Sequence, residues 1–434
     1  MNGNYITEVE KHIETAGEYD VIVAGSGPSG FAAAVTAARN GAKTLIIEYQ
    51  GSIGGISTSG LMSHFTGRVE SSLYSEILDR SYERNLFDGY DKIKIDPELL
   101  KNTYLGMLKK AGVDILLYTL ACDVIKKDNR VCGVITESKS GRLAYLCKVL
   151  IDGTGDGDMA YRAGAEYYKG RESDGKMQPA TLMFKVGGVD MSRAALPPSF
   201  ETTIQTDNGE LQALAKELLP FPAGHVLLYS SPIPGIVTCN MTNCIDVDGT
   251  KAEDLTRAEI VCRSQMEPIV KFLREYVPGF EKCYIVSAAS MIGIRETRHF
   301  IGLKQITEKD ILEARQFDDW VVRDAWFSLD VHNLTGASLD KTGIQKYFTQ
   351  QNGYTIPYGC LVPKSIDGIL LTGRNISGTH MAHSSFRAMP ICVGIGEACG
   401  VAAAISTKEH SNLRNIKPGR IQEILLQNQH LNEH

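Results

Sequence analysis

Apolar residues in the first fifty positions follow two different periods. Residues 19–24 (YDVIVA) form a short, unbroken, β-branched run, the pattern of a buried strand in a parallel sheet. The run stops at Gly25-Ser26-Gly27-Pro28-Ser29-Gly30. The next stretch, FAAAVTAARN, is alanine-rich and predicts a helix that Gly41 closes as a C-cap. Residues 43–47 make a second buried strand, with Glu48 at its end. Strand, helix and strand occupy about 30 residues, the size of one βαβ unit.

Residues 51–67 are rich in Gly and Ser and read as a long loop, a length that is usually functional or disordered. Helical periodicity follows at 73–85 and 97–111. Residues 113–117, 122–126, 130–137 and 143–151 read as strands. The first should extend the parallel sheet. The others resemble a small antiparallel sheet inserted before a return strand at 149–152. The pattern shifts near Gln178, and 180–186 predicts a strand of a different sheet. Proline-containing loops and a long helix at 252–276 come next, with Leu255, Ile260, Met266, Ile269, Val270 and Leu273 as core positions. A buried strand at 368–372, a helix at 390–405 and one amphipathic helix after Asn415 complete the chain.

At 434 residues the chain has room for two or three domains of roughly 150 residues each. Hydrophobic residues at 43% and charged residues at 22% exclude a mostly disordered chain or a disulfide-stapled miniprotein. The net charge of −6 argues against a duplex nucleic acid partner. Ten cysteines are scattered with no CxxC pair, which predicts reduced thiols in a cytoplasmic protein and no zinc or iron–sulfur centre. Residues 1–18 are polar, and no run approaches ~18 uninterrupted apolar residues, so no signal peptide or membrane span is expected.

The glycine turn carries the chemistry. GxGxxG follows a strand and opens a helix, and an acid ends the next strand. Gly25 permits the tight turn, Gly27 lets backbone approach a pyrophosphate, and Gly30 lets helix pack on strand. The helix start, with Pro28 and Ser29, offers free N–H groups and positive dipole to phosphate. Glu48 would accept hydrogen bonds from ribose hydroxyls. A second glycine pair, Gly54-Gly55, suits a chain running along a diphosphate toward a flavin. Two further strands end in turns, at Asp152-Gly-Thr154-Gly155-Asp156-Gly-Asp158 and at Gly373-Arg374-Asn375. Asp158 is the expected N-cap of the helix that follows.

These segments resemble the glutathione-reductase-type FAD flavoproteins, and within them the FAD-dependent oxidoreductases. The chain is similar in part to the flavoprotein subunit of heterodisulfide reductases and to the fumarate reductase and thiazole-synthase relatives. The resemblance is carried by YDVIVAGSGPSGFAAA, Glu48, GGISTSG, VLIDGTGDGDMA, IGIRETRHFIG, and the segment from IPYGC through GTHMAHSSFRAMP to GIGEACGVAAA. It implies an α/β fold in which a Rossmann-like FAD-binding domain with a parallel central sheet is built from 1–180 and 360–434. A second, α+β substrate domain spans 181–359. It also implies FAD held by Gly25, Gly27, Gly30, Glu48, Gly54, Gly55, Thr154, Gly155, Gly373, Arg374 and the 387–394 segment. Relatives often read PYRC where this chain has Pro357-Tyr358-Gly359-Cys360, so a guanidinium is missing there. The cysteine clusters of heterodisulfide reductases are absent too.

A helix opening at Pro390 would aim its N-terminus at the negative charge of reduced flavin, helped by Arg387 and by close packing at Gly394. His380 and His383 lie between the last strand and that helix and serve as metal ligands, acid–base groups or loop residues. Arg295, Glu296 and Arg298 form a charged network or bind a substrate carboxylate. His64, Asp330 and His332 are weaker candidates. The expected activity is hydride transfer between a small anionic substrate and flavin N5, with Arg295 binding and His380 or His383 moving a proton. The alternative is a flavin-binding electron-transfer or assembly subunit. No NAD(P)H motif is visible, so the electron donor or acceptor is unidentified; a homo-oligomer is compatible with the sequence.

Overall fold

A computed structural model describes residues 8–336 and 352–430. Its central sheet runs in the order Asp114–Leu116, Thr44–Ile47, Glu14–Ala24, Gly141–Asp152, Arg130–Ser138, Leu120–Lys127. Gly141–Asp152 is the spine. It lies parallel to Glu14–Ala24 along its length. Its first half pairs antiparallel with Arg130–Ser138, and Leu150 to Asp152 pair in parallel with Ile369–Leu371. The last strand of the expected antiparallel insert and the return strand are therefore one continuous strand. The first strand also begins before its apolar run. Glu14, Thr15 and Glu18 are polar yet pair with Leu143, Ala144 and Leu146, because a backbone ladder needs no apolar side chains where one face is wet.

The helix Pro28–Arg39 packs beside Met389–Lys408. A Cβ on Gly396 would stand 2.1 Å from the Ser29 carbonyl oxygen, and one on Gly400 would stand 2.6 Å from that of Ala33. Met389–Lys408 is, among the described residues, the one helix long and apolar enough to cross a membrane, but Met389 through Thr407 are all buried inside the fold.

A four-stranded antiparallel sheet, ordered Leu228–Ser230, Val237–Cys239, Phe184–Gly187, Tyr284–Ala288, builds a second core under the helix Ala252–Tyr276. Ala258, Cys262, Met266, Ile269, Val270 and Leu273 face it. Ile260 does not. It lies two residues, roughly 200° around the helix, from Ala258, and is 64% exposed. Buried residues of this core run from Ala180 to Ile292, while Phe300, Ile306, Val321 and Tyr354 belong to the first core.

Replacing Gly396 by Val should cost about 1–3 kcal/mol through overpacking of the two helices. Thermal unfolding checks this; an unchanged Tm would mean that the helices can separate without penalty.

Candidate active site

The parallel strands end at a glycine cradle. Gly25 has φ +91°, and a Cβ there would lie 2.3 Å from the Gly153 oxygen. A Cβ on Gly30 would lie 2.1 Å from the Gly25 oxygen. On Gly27 it would meet nothing within 4 Å, so open space stands over the start of Pro28–Arg39. No side chain caps that helix start. Gly55 approaches from the other side; its Cβ would lie 3.0 Å from the Gly27 Cα, and the Gly54 N–H donates to the Ser26 carbonyl at 2.9 Å. Ser29 and Thr372 share a hydroxyl–hydroxyl hydrogen bond across 343 residues of sequence, and Gly373 sits directly beside Ser29. The two ends of the chain thus close one groove.

Glu48 is 5% exposed. Its Oε2 accepts from the Ser26 N–H (2.9 Å) and hydroxyl (2.6 Å), and Oε1 from the Gln50 N–H (2.9 Å). Three of roughly four acceptor positions are taken, which leaves one for an incoming hydroxyl. The open, uncapped helix start, the paired glycines and this carboxylate fit a dinucleotide whose diphosphate rests at Gly27.

The other expected cofactor residues divide. Thr154 donates its hydroxyl to Asp152 (2.6 Å) and accepts the Asp158 N–H (2.9 Å). Burial pushes the Asp152 carboxyl up to about 6. Gly155 takes φ +85° with the Arg374 guanidinium pressed on it, and Arg374 is paired with Asp156 at 2.8 Å. Asp158 is not the N-cap. Gly157, at φ +68°, holds that position, and Asp158 opens the helix Asp158–Ala163 with its carboxylate 2.8 Å from Arg298. Pro390 lies in the first turn of Met389–Lys408. Gly394 is not brought to the groove; a Cβ there would stand 2.8 Å from Val69, a helix–strand contact. At Gly359 the place of the missing side chain is filled by the Lys304 stem, whose amine goes to Asp319 at 2.8 Å.

His380 and His383 are not loop residues. Both lie on a short helix, His380–Phe386, capped by Thr379. Glu296, wholly buried, accepts from His380 Nδ1, from His299 Nε2 at 2.8 Å and from the Gln178 N–H at 3.1 Å. Burial alone would raise the Glu296 carboxyl, but the two imidazole bonds outweigh it and hold it far below the usual range. His383 packs edge-on against His299 and Phe386, and burial drives it neutral. Glu296, His299 and His380 have the residue types of a metal site, with donor atoms within 4.8 Å of one another. Here both imidazole nitrogens that face the carboxylate act as donors to it.

A second cluster gathers Arg295, Arg387, Asp330, His332 and Tyr229. Arg295 donates through Nη1 to the Pro179 carbonyl (2.6 Å) and to Thr181 Oγ1 (2.8 Å). Burial, with Arg387 nearby, lowers it to about 10, so it stays charged at neutral pH. Arg387 donates through Nη2 to the Asp330 carbonyl (2.8 Å) and carboxylate (2.9 Å). Burial and Arg295 lower His332 to about 4. Burial raises the Tyr229 phenol to about 12; its ring lies 5.0 Å from that of His64. Arg387 Nε and Gln178 Nε2 are buried donors with no partner among the described residues. Tyr229 and Gln178 escape sequence reasoning. Gln178 marks the shift in pattern that was visible there, but nothing in a proline-rich stretch singles out Tyr229.

Burial holds His225 at about 3, just as it holds His332 at about 4, both below the ordinary value of 6.5. The unfolded chain therefore takes up protons first, and stability falls as pH drops from 6.5 toward 4. The His225→Gln/His332→Gln double variant should lose stability less steeply across that window in urea titrations. An identical slope would contradict the burial of neutral imidazoles.

The profile of a family described as FAD dependent oxidoreductase matches residues 20–425. Thiamine thiazole synthase of Methanococcus maripaludis is 31% identical over 147 residues, covering 32% of this chain and 56% of that enzyme. The enzyme of Pyrococcus abyssi is 35% identical over 150 residues, covering 32% of this chain and 58% of the enzyme. The chain thus spans a little over half the length of these curated relatives. A geranylgeranyl bacteriochlorophyll reductase-like protein from Thermoplasma acidophilum shares the fold at a TM-score of 0.50, 15% identity, covering 97% of this chain and 88% of that one. So does p-nitrophenol 4-monooxygenase from Pseudomonas putida, at 0.51 and 10%, covering 96% and 88%. With its glycine cradle, its Rossmann-like sheet and a family match that runs almost end to end, the chain belongs to the FAD dependent oxidoreductase family.

Proposed function

We propose that this enzyme exchanges a hydride between flavin N5 and a small anionic substrate seated against Arg295 and Arg387. One observation carries the reading. Arg387 is paired with the Asp330 carboxylate at 2.9 Å, whereas Arg295 in the same cluster makes no ion pair among the described residues and donates to neutral oxygens of Pro179 and Thr181, and burial keeps the neighbouring His332 neutral. The local excess of positive charge is partly buried, where it is costly unless an anion arrives. The unpartnered donors Arg387 Nε and Gln178 Nε2 stand in the same cluster. A guanidinium fork suits a carboxylate better than an ammonium does.

FAD, when bound, supplies the two-electron chemistry. Gly25, Gly27, Gly30, Gly55 and Glu48 would hold it. Asp330 orients Arg387, and the Pro179 carbonyl and Thr181 hydroxyl orient Arg295. Tyr229 Oη keeps its proton at neutral pH and can donate it to a developing oxyanion. This role suits Tyr229 better than His380, whose Nδ1 is committed to Glu296.

Screening carboxylic acids for anaerobic bleaching of the flavin absorbance tests the reading. Arg295→Gln should keep the flavin spectrum and weaken a carboxylate's binding by about ten- to a hundredfold, the worth of a charged hydrogen bond. Unchanged binding would sink the proposal. Glu48→Gln should weaken FAD by about 1–2 kcal/mol, since a neutral amide keeps the shape and loses the charge. Fluorescence titration of FAD into the apoprotein measures it, and equal affinity would remove Glu48 from the ribose.

A further inference from the structure

The segment Ala180 to Val186 alternates cleanly. Ala180, Leu182, Phe184 and Val186 enter the second core. Strand geometry sends Thr181, Met183 and Lys185 to the opposite face. Thr181 holds Arg295 on that face. The ladder Tyr229↔Thr238↔Lys185 puts Tyr229, Thr238 and Lys185 in one row across it. Tyr229 lies over His64, so this face looks toward the flavin domain.

Lys185 is 5% exposed and makes no hydrogen bond or ion pair among the described residues. Burial pulls its ammonium down, and only Asp96 and Glu98 act against this. Neither acid is free for it. Asp96 caps the helix Pro97–Ala111 through the Glu98 and Leu99 N–H groups, at 3.0 and 3.2 Å, and Glu98 pairs with Lys101 at 2.7 Å. The hydroxyl of Thr238, next to Lys185 in the row, is buried with no partner among the described residues. Lys185 and Thr238 thus face each other across neighbouring strands, and neither side chain has a hydrogen-bond partner among the described residues. Met183 separates them from the arginine end.

We propose that Lys185 and Thr238 bind a second anionic group of the substrate, which is a dianion with an apolar middle. One end sits at Arg295 and Arg387, the other at Lys185 and Thr238, and Met183 covers the spacer. Thr181 and Lys185 are about 13 Å apart along an extended chain, and Tyr229 and Lys185 about 10 Å apart across two strand spacings. A linear or aromatic dicarboxylate of that reach fits.

This assignment rests on the arginine site proposed above, and the test separates the two. Flavin absorbance of the holoenzyme is titrated with propionate, glutarate, adipate, suberate and sebacate, in wild type, Lys185→Met, Lys185→Arg and Thr238→Val. A longer dicarboxylate should bind at least about tenfold more tightly than propionate. Lys185→Met should erase that gain while leaving propionate unchanged, and Lys185→Arg should restore part of it. Loss of propionate binding in Arg295→Gln, with no dicarboxylate gain or a gain indifferent to Lys185, overturns the second anchor alone. No carboxylate response in any protein overturns the arginine site as well.

Discussion

The helix Met389–Lys408 can lie against Pro28–Arg39 only because Gly396 and Gly400 carry no side chains. That contact holds the C-terminal segment beside the first glycine turn. It brings Gly373 onto Ser29, and Arg374 onto Gly155 and Asp156. It also sets where His380–Phe386 and Arg387 emerge. A groove made from residues hundreds of positions apart has to be welded in this way, since its two halves share no local structure. The continuous strand Gly141–Asp152 provides the other weld, pairing with the N-terminal strand and with Ile369–Leu371 on its two edges.

Around the groove the buried charges sort into two kinds. Glu296 and Asp156 are matched by His299 and His380 and by Arg374, and the buried Arg298 is matched by the half-exposed Asp158. These pairs lock the 295–300 segment onto the flavin domain. Arg295, Arg387 and Lys185 are under-matched or unmatched. Paired charges rigidify, and buried charges that lack a full counter-charge cost free energy that a ligand can recover. The division separates framework from site more sharply than residue type does, since arginines and acids occur in both.

Much of this was legible in the sequence where local chemistry is strong. The helix at 97–111 has proline at its start, an Asp cap before it and glycine after it, and its bounds coincide with the structure. The long helix at 252–276 does too. The glycine cradle was legible because only glycine satisfies its turns. The helix His380–Phe386 was not, because seven residues are too few to show a period. Asp158 was misassigned because glycine can cap a helix with no side chain at all. Gly394 was read both as a close-packing glycine and as part of the cofactor segment, because both ask for the same residue; the structure places it in the packing contact with Val69. Tyr229 and Lys185 were invisible as site residues. A strand pattern tells which positions alternate, but not whether the polar face meets water or another domain.

A crystal structure of the holoenzyme with a bound carboxylate tests the central claim most directly. The account predicts the diphosphate at Gly27, the adenosine ribose at Glu48, and the carboxylate between Arg295 and Arg387 on the flavin ring. A flavin ring turned away from those arginines, or a carboxylate bound elsewhere on the ring, would contradict it.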